Sequence, residues 1–130
     1  MKLDVLAFGA HPDDIELACS GSLMKLIAEG KSVGIVDLTE GEMGTRGSIF
    51  TRREESANAS KIIGIAVREN LNLGDSSFEL NQETRVKVIE VIRKYRPTIV
   101  LANAVDDRHI DHPKGAQLVK EAFFLSGLSK

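Results

Sequence analysis

Short apolar runs of strand length alternate along this chain with longer segments of helical periodicity. Residues 3–9, 32–38 and 98–102 are the runs, rich in Val, Ile and Leu, and amphipathic stretches lie between them. Strands separated by helices cannot pair as tight hairpins, so each crossover returns the chain to start a parallel neighbour. The sequence therefore predicts a Rossmann-like, three-layer α/β fold: a mostly parallel sheet with helices on both faces. At 130 residues, 42% of them hydrophobic, the chain buries one sizeable core and is too short for two ordinary domains. A single domain over residues 1–130 follows.

The helical segments carry their own punctuation. Residues 20–29 place Leu23, Leu26 and Ile27 on one face, and Gly30 stops them. Thr51-Arg52-Arg53-Glu54 reads as a capping box opening a second helix with Ala59, Ile62 and Ile63 inward. Val88, Val91, Ile92 and Tyr95 fall at i, i+3, i+4 and i+7, and Pro97 ends that helix by restricting Arg96. Pro113 suits the first turn of a fourth helix running through Leu118, Val119 and Ala122. Residues 67–73 have some strand character, and the polar run after Gly74 has little. A polar loop, residues 39–50, follows the second strand and contains Gly41, Gly44 and Gly47. A loop at the carboxyl end of a strand is where substrate contacts are usually built.

Charge and composition exclude several classes. The formal net charge is -2, with Lys and Arg scattered among Asp and Glu, which argues against nucleic acid and polybasic membrane binding. No apolar run approaches the roughly 20 residues needed to cross a bilayer. The apolar start lacks a basic lead and a small-residue cleavage site, so a cytoplasmic protein is expected. Cys19 is the only cysteine, which leaves no intrachain disulfide and no thiolate metal cluster.

The three histidines all lie beside aspartates. His11-Pro12-Asp13-Asp14 follows the first strand, and His109-Ile110-Asp111-His112 follows the strand at 98–102 by a short loop. If the strand order is 3-2-1-4, both motifs border the crevice where that order reverses. Asp13, Asp14, Asp111 and Asp106 or Asp107 around one dry crevice would repel one another without a cation. A divalent metal resolves that cost. Imidazole and carboxylate ligands without cysteine suit Zn²⁺ in an open catalytic site, which leaves a coordination position for water and yields hydroxide near neutral pH. Two histidines and a carboxylate also suit Fe²⁺ or another divalent metal, although the iron triad is usually carried on a β-barrel. Of the paired aspartates one should ligate and one should face the water, and spacing does not say which.

Ala10-His11-Pro12-Asp13-Asp14, the loop Glu42-Met43-Gly44-Thr45-Arg46-Gly47 and His109-x-Asp111-His112 resemble the PIG-L or LmbE-like family of zinc N-deacetylases. The resemblance implies zinc ligands at His11, Asp14 and His112, and Asp13 as the base acting on metal-bound water. It implies that Asp111 orients a histidine and that His109 stabilises the oxyanion or protonates the leaving amine. Residues 3–9, 105–108 and 124–128 look most like the deacetylases of bacillithiol biosynthesis, whose substrate is N-acetylglucosaminyl malate. The implied partner is thus a small N-acetylated sugar conjugate, and a homo-oligomer is expected by the same resemblance. Arg52 matches a family arginine ahead of the helix, and beside a crevice it could hold the malate carboxylates by paired hydrogen bonds; Arg108 is a second candidate. Ile110 and Pro113 depart from the second motif's usual residues without removing a ligand. Family members run beyond residue 130, so the C-terminal part of their fold is expected to be missing.

Two rivals remain. A dinucleotide-binding module fits the fold and Asp37, but the first turn lacks the required glycine spacing and its aspartates would repel a pyrophosphate. A catalytically silent metal-binding or assembly fragment fits the short length. Phe123, Phe124 and Leu125 cannot all face the sheet, so another chain or a further segment is expected over residues 123–128.

Overall fold

The computed structural model describes residues 1–45 and 47–129; Arg46, part of the loop motif quoted above, lies outside the described residues. The order is β1 (Val5–Gly9), α1 (Asp14–Ala28), β2 (Val33–Asp37), α2 (Ile49–Ile63), β3 (Val67–Asn70), α3 (Gln82–Tyr95), β4 (Ile99–Leu101) and α4 (Asp111–Ser126). All four strands are parallel, in the order β3-β2-β1-β4. This is the α/β sheet that the alternation of segments predicts.

Strand period 2 sends alternate residues of β1 to opposite faces. Leu6 and Phe8 join Val36, Val88, Ile92 and Leu118 under α3 and α4. Val5 and Ala7 join Ile15, Leu23, Ile35 and Ile63 under α1 and α2. Two cores thus flank one central sheet. Each fully buried Leu or Phe contributes roughly 1.5–3 kcal/mol. Gly34 lies on β2 because the sheet is too tight there for a side chain: a Cβ would come 2.6 Å from Leu3 Cδ1.

Several local expectations need correction. α1 begins at Asp14, ahead of the expected residue 20, and carries a non-helical residue at Cys19. The first turn has no side-chain cap; it is fixed by the Asp14 carboxylate, which turns back to the His11 N–H, and by the buried Ile15. α2 is capped by Ser48, whose hydroxyl accepts from the Thr51 N–H, so the box at Thr51 to Glu54 is one turn too late. Ile62 is 77% exposed, and Ile63 alone of the expected inner face is buried. β3 stops at Asn70. The α3 assignment holds: Val88, Val91, Ile92 and Tyr95 are buried, and Arg96 takes the left-handed cap before Pro97.

Phe123 and Phe124 are exposed, Phe124 by 73%, near the unpaired outer edge of β4. No helix among the described residues is long and apolar enough to cross a membrane.

Candidate metal centre

The strand order reverses beside β1, with β2 and β3 on one side and β4 on the other. The segments leaving β1 and β4 therefore meet at the carboxyl edge of the sheet, in the position where α/β folds build their sites. Asn103 fastens them together. Its Oδ1 accepts the Ala10 N–H at 2.8 Å and its Nδ2 donates to Asp14 Oδ2 at 3.3 Å.

This junction gathers all three histidines. The ring centroids of His11 and His109 are 4.5 Å apart, and those of His11 and His112 are 5.4 Å apart. Asp14 Oδ2 lies 3.5 Å from His11 Nδ1 and 3.2 Å from His112 Nε2. Ligand atoms of His11, Asp14 and His112 all fall within 4.8 Å of one another.

The outward face of each imidazole is also occupied. His11 Nε2 stands 2.9 Å from Asp111 Oδ2 and 3.0 Å from Asp75 Oδ1. His112 Nδ1 stands 2.9 Å from Asp107 Oδ2. A proton held on each outward nitrogen leaves the inward nitrogens, His11 Nδ1 and His112 Nε2, with lone pairs aimed at the Asp14 carboxylate. Three such donors converging on one point fit a divalent cation, which would replace the proton that His11 otherwise shares with Asp14. Zinc matches this donor set, with carboxylate support behind both imidazoles.

Electrostatics point the same way. Burial works against charge on His11, yet the bonds to Asp14 and Asp111 and the charges of Asp14 and Asp75 outweigh it and push its pKa up to about 9. A site that draws a proton so strongly also draws a metal ion. Burial raises the Asp14 pKa in isolation, but the hydrogen bonds with His11 and the charge of His112 bring it below the ordinary value. Asp13 goes the other way, raised by burial and then by the neighbouring Asp14 charge, with Arg52 opposing.

Asp13 and Asp14 thus have different surroundings. Asp14 opens α1 and turns its carboxylate back to the His11 N–H at 2.9 Å. Asp13 sits at the helix N-cap in a left-handed conformation, φ 94°, where a non-glycine residue is strained. Its side chain is 57% exposed and 3.7 Å from Arg52 Nη2. His109 accepts the Asp111 N–H at Nδ1, 3.1 Å away, which leaves its Nε2–H free to donate. His11, Asp13, Asp14, Arg52 and His109 line one cavity of about 220 Å³.

Arg52 reaches that cavity from the first turn of α2. Its guanidinium donates to the Pro12 carbonyl at 3.0 Å and lies over Gly41 and Gly44. A Cβ at Gly44 would come 2.7 Å from Nη1, so the loop glycines make room for this arginine. Arg108 is exposed on the loop between β4 and α4 and does not line the cavity. Burial raises the Cys19 thiol pKa, and Cys19 packs against the core under α1.

Sequence reasoning missed Asp75. It is buried at 7% exposure, accepts the Met43 N–H at 2.8 Å, and shares His11 Nε2 with Asp111. The available signal was its place just after the third strand, the same carboxyl edge that carries the histidine motifs. Asp107 was one of two candidate acids; the contact with His112 selects it.

The family model for GlcNAc-PI de-N-acetylase (PIG-L) matches residues 6–123. The chain belongs to this family. Over 83% of its length the PIG-L chain is 40% identical to the uncharacterized deacetylase YaiS of Escherichia coli K12, covering 61% of that protein. Over 95% of its length it is 34% identical to a diacetylchitobiose deacetylase of Thermococcus kodakarensis, covering 50% of it. It is also 27% identical to a 4-oxalmesaconate hydratase of Pseudomonas putida, across 90% of this chain and 50% of that one. The solved structure of the conserved protein TT1542 from Thermus thermophilus superposes with a TM-score of 0.94 at 44% identity, over 98% of this chain and 58% of that one. The chain thus spans between 50% and 61% of the length of these relatives.

Proposed function

We propose that this PIG-L family chain forms the metal-binding part of a zinc-dependent N-deacetylase acting on an N-acetylglucosamine conjugate, with N-acetylglucosaminyl malate as the substrate. The observation that carries the reading is the shared cavity: the His11 and Asp14 ligands, a carboxylate that does not ligate, and an imidazole with a free N–H all border it. His112 completes the ligand set from the far side of Asp14.

His11, Asp14 and His112 would hold a divalent ion, which would supply Lewis acidity and lower the pKa of a water on it to about 7. Asp13 takes the proton of the attacking water, and its raised pKa matches that task better than an ordinary carboxylate would. Water oxygen bonds to the acetyl carbonyl carbon, the C–N bond breaks, and acetate leaves. His109 Nε2–H faces the developing oxyanion, and Asp13 passes the proton it took from water to the departing amine. Asp111 and Asp107 keep the two ligating imidazoles in one tautomer. Arg52 can hold a malate carboxylate through paired N–H donors at the cavity wall.

Acetate release from N-acetylglucosaminyl malate and from other N-acetylglucosamine conjugates, with metal analysis on the same sample, tests this reading. Turnover should follow bound zinc and be fastest with the malate conjugate. Stoichiometric zinc with no acetate from any N-acetylated sugar would favour the silent-fragment alternative, which the share of the relatives' length spanned by this chain keeps in play.

A further inference from the structure

Beneath the segment that carries Asp13 and Asp14, one guanidinium ties four elements together. Arg68 of β3 donates from Nε to Asp37 Oδ2 and from Nη2 to Asp37 Oδ1, both at 2.9 Å, at the end of β2. It donates to both carboxylate oxygens of Glu16 on α1, at 3.1 and 3.2 Å, and to Ser60 Oγ on α2 at 3.3 Å. The Arg68 side chain is 11% exposed, that of Asp37 4% and that of Glu16 17%. The planar, forked guanidinium suits two bidentate carboxylates at once, which a lysine could not reproduce.

Asp37 alone would suffice to neutralise Arg68, so the bond to Glu16 needs its own account. Glu16 lies two residues beyond Asp14, within the first turn of α1. That turn has no side-chain cap at its N-cap, and the N-cap residue is the strained Asp13. Packing of Ile15 and the Glu16 to Arg68 pair hold the turn against the sheet, beside the bonds that Asp14 makes with the His11 N–H and Asn103. If the first turn shifts, the Asp14 carboxylate shifts against His112, which is anchored independently on α4.

We propose that the Glu16–Arg68–Asp37 cluster is a positioning device for the metal centre, with Arg68 and Glu16 setting where Asp14 stands relative to His112. This rests on the reading that His11, Asp14 and His112 hold a divalent ion. Displacements well below 1 Å suffice to weaken such a site, because ligand geometry must hold within about 0.5 Å.

The test is zinc affinity, measured by competition with a chromophoric chelator on the whole chain, beside chemical denaturation of the metal-free protein. Glu16→Ala cuts the tie to α1 and leaves the Arg68–Asp37 pair in place; it should weaken zinc binding about tenfold, the lower end of the range for partners that orient ligands. Its metal-free denaturation midpoint should stay near the parent's. Glu16→Gln, which retains hydrogen-bond acceptance, should recover part of the loss. Arg68→Met should weaken zinc at least as much as Glu16→Ala; should it fail to fold, the two Glu16 variants decide. Parent-like zinc affinity in Glu16→Ala would overturn the proposal. A parent protein that itself takes up no zinc would instead overturn the metal assignment.

Discussion

His11 Nε2 lies 2.9 Å from Asp111 Oδ2, and Asp111 is fully buried with its other oxygen, Oδ1, left without a hydrogen-bond partner among the described residues. A carboxylate in that position is costly unless it acts on the imidazole in front of it. By holding a proton on Nε2 it keeps Nδ1 available as a ligand. Asp111→Asn should therefore weaken zinc binding roughly 10- to 100-fold while the chain still folds. Chelator competition with circular dichroism on the same sample checks this, and unchanged affinity would refute the orienting role.

The two motif aspartates should separate binding from chemistry. Asp13 is largely exposed and Asp14 largely buried against the two imidazoles. Asp13→Asn should retain zinc and lose roughly 10²- to 10⁴-fold in turnover, the range for removing a general base. Asp14→Asn should lose the metal. Metal content and acetate release on both variants decide it, and exchanged phenotypes would mean the roles are reversed.

Protons and metal compete at His11. Its pKa in the metal-free protein is raised from 6.5 to about 9, so the folded state holds a proton that the unfolded chain releases earlier. The stabilisation is fully present below pH 6.5 and is lost as pH rises through about 9. Metal-free protein should thus melt at a lower temperature at about pH 9 than at about pH 6.5, and His11→Gln should remove much of that difference. Zinc affinity should run oppositely, rising with pH over the same window as the competing proton leaves. A metal-free melting temperature that rises across that window in the parent but not in His11→Gln would contradict this.

Arg52 is expected to act on substrate binding. Arg52→Ala should raise KM for a carboxylate-bearing conjugate by about 10-fold or more, as loss of a charge-assisted bond worth roughly 1.5–3 kcal/mol implies, with a smaller effect on a neutral N-acetylated sugar. Gly44→Ala should mimic it in part, since the added methyl would meet Nη1 at 2.7 Å. Equal KM changes for charged and neutral substrates would remove Arg52 as the carboxylate anchor.

The sequence by itself determined the parallel α/β class, the α3 face at Val88, Val91, Ile92 and Tyr95, and the pairing of two His–Asp motifs at strand ends. Those follow from local periodicity and from the rule that such sheets bind ligands at their carboxyl edge, both readable along the chain. The family motifs then singled out His11, Asp14 and His112, whose ligand atoms the fold brings within 4.8 Å. Only the tertiary structure decided what stands behind them. Asp75 is 64 residues from His11, and Arg68 is 52 from Glu16; neither sits in a motif, because a side chain that orients another needs proximity in space and no fixed spacing. The start of α1 at Asp14 and the cap of α2 at Ser48 escaped the sequence for a related reason. Asp14 turns its carboxylate back to the His11 N–H, and the Ser48 hydroxyl caps the Thr51 N–H. Which polar side chain bonds which backbone N–H depends on backbone angles that the rest of the fold imposes.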